Sequence, residues 1–80
     1  MSKLKEKRIE TGMSQSQLAK KAGINVRILQ YYEQRTKNFD HARIDRILKI
    51  CLALNCRIDE VVENTDFIKL YKKYMKQNKG

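Results

Sequence analysis

Two helix-start signals on either side of one glycine constrain this chain more than any other feature. Ser14-Gln15-Ser16-Gln17 has the spacing of a capping box. In that arrangement the Ser14 hydroxyl accepts from the Gln17 amide while the Gln17 side chain reaches back. The helix it opens continues through Leu18, Ala19 and Ala22 and stops at Gly23, where a positive φ is cheap. Asn25 then caps a new helix running to about Gln34. Two helices joined by so short a turn cross steeply and need a small side chain at their closest approach, which Ala19 supplies. Leu18, Ala22, Ile24, Leu29 and Tyr32 provide apolar contacts at compatible spacing, so the segment reads as a helix-turn-helix.

The rest of the chain is helical in character as well. Its 80 residues include no proline and three glycines, Gly12, Gly23 and Gly80, a composition suited to helices and short turns. No stretch alternates with period two between turn residues, so no strand is expected. A first helix runs from about Ser2 to Thr11 and stops at Gly12. Asp40 is the expected N-cap of a fourth, with Ile44, Ile47, Leu48, Cys51 and Leu54 at helical spacing. A short fifth helix covers about Ile58 to Val62. From Asp66 to about Lys76, Phe67, Leu70, Tyr71 and Tyr74 recur as one face of an amphipathic helix. The expected architecture is all-α: a compact five-helix domain at 1–63 and a basic helical extension at 64–80.

Charge narrows the function classes. Eighteen Lys and Arg against nine Asp and Glu give a net charge of +9, which favours an anionic partner, either nucleic acid or an acidic membrane surface. Residues 1–39 carry nine basic and three acidic side chains, 40–63 carry four and five, and 64–80 carry five and one. So uneven a distribution reads as a binding face at the N-terminal end rather than a device for solubility. The longest apolar run, Ile50-Cys51-Leu52-Ala53-Leu54, is far short of the ~20 residues a spanning helix needs. Charges within Met1–Arg8 leave no apolar core for a signal peptide, and a cytoplasmic location is expected. Cys51, Cys56 and the lone His41 fall short of the four donors of a structural zinc site, so both cysteines are expected as small buried apolar residues. With no nucleophile–base pair, glycine-rich phosphate loop or metal-ligand cluster in a recognisable motif, neither an enzyme, a metal nor a cofactor is expected.

At about 100° per residue the helix after Asn25 divides into two faces. Ile28, Leu29 and Tyr32 turn inward. Val26, Arg27, Gln30, Tyr31 and Gln34 turn outward. That outer set suits reading of the DNA major groove. Arg27 can donate a bidentate pair to guanine, Gln30 can pair with the edge of adenine, and Val26 can meet a thymine methyl. Tyr31 can stack, bond a base edge or touch phosphate. The plainer reading, a merely solvated polar face, sits poorly with the helix-turn-helix around it.

Arg8 through Gly12-Met13-Ser14-Gln15-Ser16-Gln17-Leu18-Ala19, then Gly23-Ile24-Asn25 and Leu29-Gln30-Tyr31-Tyr32-Glu33, resemble the phage-repressor-like (Xre) family of bacterial and phage transcription regulators. Ile47 to Val61 resembles that family's fourth and fifth helices, so the likeness extends over roughly Leu4 to Val62. It implies a five-helix fold that binds operator DNA as a two-fold dimer. It also implies that Gln15 contacts phosphate and buttresses the recognition helix, that Val26, Arg27 and Gln30 read bases, and that Arg8 pairs with Glu33. Ser14, Asn25, Gln34, Arg35, Lys37 and Asn38 complete the expected phosphate-contacting and positioning set. Arg35 stands where the family usually has glycine, and the segment before the fourth helix is longer and lacks the family's proline.

Three readings of the tail remain open: packing on the domain's own core, a dimer or partner contact through Phe67, Leu70, Tyr71 and Tyr74, or a membrane surface. The leading functional expectation is a sequence-specific DNA-binding regulator, a repressor acting as a homodimer on double-stranded DNA. Its half-sites would lie about one helical turn apart. The competing expectations are an antitoxin-like protein-interaction module with secondary autoregulatory DNA binding, and non-specific coating of nucleic acid.

Overall fold

A computed structural model describes residues 2–77. Met1 and residues 78–80, which include Gly80 and the end of the expected basic extension, lie outside the described residues. The described chain contains five α-helices, α1 (Lys3–Glu10), α2 (Gln15–Ala22), α3 (Val26–Glu33), α4 (Ile44–Leu54) and α5 (Thr65–Gln77). Single 3-10 turns at Phe39–His41 and Ile58–Glu60 flank α4, and no strand occurs among the described residues.

The helix starts follow their capping chemistry. Ser2 accepts from the Lys5 amide at 3.1 Å. Ser14 and Gln17 form the reciprocal box, at 3.1 Å and 2.8 Å. Asn25 accepts from the Arg27 amide at 2.7 Å. Gly23 ends α2 with φ 72°, and its amide bonds back to the α2 carbonyls. That left-handed turn sends α3 off across α2, so the whole helix-turn-helix hangs on one backbone angle.

Two expected elements need correction. Asp40 does not cap the fourth helix; that place falls to Arg43, which makes no side-chain cap. Asp40 instead lies inside the Phe39–His41 turn, itself capped by Asn38, and its carboxylate accepts from the Glu63 amide at 3.0 Å and 3.2 Å. The same short acidic side chain serves a helix cap or a loop staple, and its long-range partner decided the outcome. The short fifth helix is a single 3-10 turn. Its Glu60 reaches back to the Arg57 amide at 2.6 Å.

The core lies between α2, α3 and α4, with α1 closing it from the side of α3 and the Ile58–Glu60 turn. Leu4, Leu18, Leu29, Ile50 and Val61 are its largest fully buried side chains. Each such side chain contributes about 1.5–3 kcal/mol by leaving water. Ala19 and Ala22 are buried where α2 meets its neighbours. Tyr32 closes the far end of α3, its ring edge-on to Phe39 at 5.2 Å and its hydroxyl accepting from Arg46 of α4 at 3.1 Å. Cys51 is buried and Cys56 half-buried, both as free thiols; burial pushes the Cys51 thiol up to about 12.

Ile44 and Leu48, expected among the apolar positions of α4, face outward. Together with Leu52, which is 79% exposed, they leave Ile47, Ile50, Cys51, Ala53 and Leu54 to the core. No residue of α5 is fully buried; the helix rests on the Ile58–Glu60 turn and seats Ile68 against the core.

A Cβ at Gly23 would meet nothing within 4 Å, so only the backbone opposes a larger residue there. Gly23→Ala should therefore lower stability by about 1–2 kcal/mol, the strain of a left-handed L-residue. Urea denaturation measures this, and an unchanged or higher midpoint would contradict the role given to this turn.

Candidate nucleic-acid interface

Helix α3 is positioned by a chain of hydrogen bonds that starts in the core. Arg8 of α1 is buried, and its Nε and Nη2 donate to the two Glu33 carboxylate oxygens at 2.7 Å and 3.1 Å. Its remaining terminal nitrogen donates to the Met13 carbonyl at 2.9 Å. The Glu33 side chain is 1% exposed. A paired fork of this kind fixes both distance and plane, so the far end of α3 is pinned to α1.

From Glu33 the chain runs outward. Gln15 donates its Nε2 to Glu33 Oε1 at 3.0 Å, and Gln30 donates its Nε2 to Gln15 Oε1 at 3.3 Å. An ionised carboxylate only accepts, which dictates which end of the Gln15 amide faces it. That choice turns the Gln15 oxygen towards Gln30, which must then answer with its nitrogen. Gln30 is left with its carbonyl oxygen and one N–H to offer outward, the acceptor and donor that match the N6 and N7 edge of adenine. The core ion pair thus sets the polarity of an amide at the surface.

The other expected base readers are placed differently. Arg27 is exposed, and its guanidinium makes no hydrogen bond or ion pair among the described residues. Val26 is half-buried and packs against the core cluster, so its methyls are partly covered. Tyr31 is half-buried with the Lys37 ammonium 5.6 Å from its ring centroid, a cation–π contact.

Several of the expected phosphate and positioning residues carry structural duties. The Ser14 and Asn25 oxygens are engaged as helix caps and the Asn38 oxygen caps the 3-10 turn. Gln34 is the exposed C-cap of α3. Arg35, with φ 60°, directs its guanidinium onto Glu63 at 2.7 Å and 3.3 Å. Glu63 was not singled out by sequence; no spacing rule links it to a residue 28 positions away.

The tail stripe forms a second surface. Phe67 and Tyr71 stack at 5.9 Å on the near side, while Leu70 and Tyr74 are 66% and 58% exposed. Tyr71 shares a groove with Leu48 and Leu52, and Phe67 shares another with Ile44. The exposed apolar residues of α4 and α5 therefore adjoin one another across these two grooves. The i, i+4, i+8 spacing of Ile44, Leu48 and Leu52 was legible in the sequence, but nothing there said that it faced outward. Among the described residues no group of three or more His, Cys, Asp or Glu is placed to hold a metal ion. None of their helices is long and apolar enough to cross a membrane.

Glu33→Gln should cost about 3–5 kcal/mol, because it leaves the Arg8 charge buried without its partner. Replacing both residues together, Arg8→Met with Glu33→Leu, should recover much of that loss. Chemical denaturation of the three variants checks this, and equal stability of Glu33→Gln and the parent chain would contradict it.

Neither curated proteins nor solved structures gave a match. The family described as the Cro/C1-type HTH DNA-binding domain matches residues 3–66, which takes in the capping box, the Gly23 turn, the recognition helix and the Arg8–Glu33 pair. The chain belongs to the Cro/C1-type helix-turn-helix DNA-binding domains.

Proposed function

We propose that the protein is a sequence-specific regulator of transcription, a repressor that binds double-stranded DNA as a homodimer with α3 of each copy in a major groove. The observation that carries the reading is the relay from Arg8 through Glu33 and Gln15 to Gln30, which holds a base-pairing amide in one orientation beside the exposed Arg27. Phosphate contacts come from Gln15 and from the loop of Arg35, Lys37 and Asn38. The N-terminal helix-turn-helix unit at 1–63 is the reader, and 64–80 is the extension that brings copies together. A cytoplasmic location fits this role.

A second copy suits the α4–α5 surface. A contiguous apolar ridge of this kind marks an interface, and a two-fold contact needs a self-complementary one. Asp66 and Lys73 lie on the same edge of α5, seven residues apart, with Leu70 between them. Antiparallel crossing of two copies sets each aspartate against the other copy's lysine, whereas parallel crossing sets like charges together. The competing reading, an antitoxin-like module whose ridge binds another protein, rests on the same exposed residues.

Selection from random DNA at near-physiological salt tests the function, since specific sites bind ~10³–10⁷ tighter than random sequence. A palindromic motif is expected, with affinity falling steeply as salt rises. No enriched motif would overturn the reading. Arg27→Ala should cost about 1–3 kcal/mol at one position of that motif and relax its base preference. Gln15→Ala should weaken binding to every sequence and loosen the position read by Gln30.

Sedimentation of the purified protein tests the assembly. A dimer is expected, with Leu52→Asp and Leu70→Asp both monomeric and still folded. A folded parent chain that stays monomeric would assign the ridge to a different protein.

A further inference from the structure

We propose that Glu63 occupies the place of a backbone phosphate on Arg35, so that DNA must displace an internal anion to engage this loop. The inference rests on the duplex-binding reading above. Glu63 and Arg35 meet fork to fork, Nη2 to Oε1 at 2.7 Å and Nε to Oε2 at 3.3 Å. A phosphate offers a guanidinium the same two-oxygen geometry.

Three further observations bear on this pair, which stands at the C-terminal end of α3. The Arg35 loop leaves α3 directly, and Lys37, two residues on, lies over the Tyr31 ring on the outward face. Arg35 holds φ 60°, a conformation that non-glycine residues take at a cost, so this backbone fixes where its side chain begins. Glu63 is not a swinging arm either: its own amide is held by both Asp40 oxygens. Arg35, Lys37, Asp40 and Glu63 line a single concavity beside the recognition helix. Asp40 ties the backbone of Glu63 into the fold there, and Arg35 and Lys37 bring two cations to the same concavity.

Electrostatics then sets the direction of the effect. While Glu63 compensates Arg35, that cation adds nothing to the attraction for phosphate. A phosphate that takes Arg35 must also leave the Glu63 carboxylate close to the DNA. Glu63 therefore lowers affinity for every duplex alike, with no preference among sequences.

The test is a double-mutant cycle read by duplex affinity across a series of salt concentrations, with Glu63→Gln and Arg35→Gly. Glycine at 35 suits the positive φ, so that variant keeps its fold, and circular dichroism confirms this for all four proteins. Glu63→Gln is expected to tighten binding to random and selected duplexes alike, by about 1.5- to 5-fold, the range of an exposed ion pair. The slope of log affinity against log salt should steepen by about 0.9, the share of one added phosphate contact. In the Arg35→Gly background the same substitution should leave the slope unchanged and give a smaller gain in affinity, the relief of a screened repulsion alone. An unchanged slope for Glu63→Gln, or the same gain with Arg35 absent, would overturn the proposal and leave Glu63 as a surface charge acting at a distance. A parent chain that binds no duplex at any salt would overturn the duplex-binding reading itself, a result distinct from either.

Discussion

The buried contact between Arg8 and Glu33 is the constraint on which the rest of the site depends. Neither charge is tolerable alone in that position, so each requires the other, and α1 and α3 cannot move apart. Glu33 also receives Gln15, which adds the start of α2 to the same point. Three helices are thereby referenced to one carboxylate. Hydrophobic packing by Leu18 and Leu29 is non-directional and holds these helices together without choosing an angle. The choice of angle comes from the fork.

That division of labour explains why the site reaches the surface with defined chemistry. A glutamine on an exposed helix face normally samples both amide orientations. Here the sequence of acceptor, donor and acceptor is imposed from within, and Gln30 inherits it. Arg27 lies on the same helix with no internal partner among the described residues, so its fork is available to whatever the helix meets. Of the two base readers proposed above, one is preset and the other adaptable.

The helix-turn-helix was legible because each of its signals is local. A capping box, a left-handed glycine and an Asx cap are decided within a few residues, and all three stand where the spacing put them. The Arg8–Glu33 pair was legible only through family resemblance. Where the outcome depended on distant partners, sequence failed. Asp40 has the side chain of a helix cap, yet it lies in the 3-10 turn and accepts from the distant Glu63 amide. In α4, Ile44, Ile47, Leu48, Cys51, Leu52 and Leu54 cover too much of the helix for periodicity to say which arc faces the core. The pairing of Arg35 with Glu63 was invisible for the same reason.

The extension has a thermodynamic consequence of its own. A helix of 13 residues with no fully buried side chain draws little of its order from the domain beneath it. Ile68 and the Ile58–Glu60 turn anchor its start, while Leu70, Tyr74 and Met75 further along stand in the open. In the proposed dimer, a second copy covering that ridge would make folding of the last turns and association one event. Helix content would then rise with protein concentration, and occupancy of a paired site would climb more steeply than the first power of abundance. The supply of the chain would itself be the signal read by the regulator proposed above.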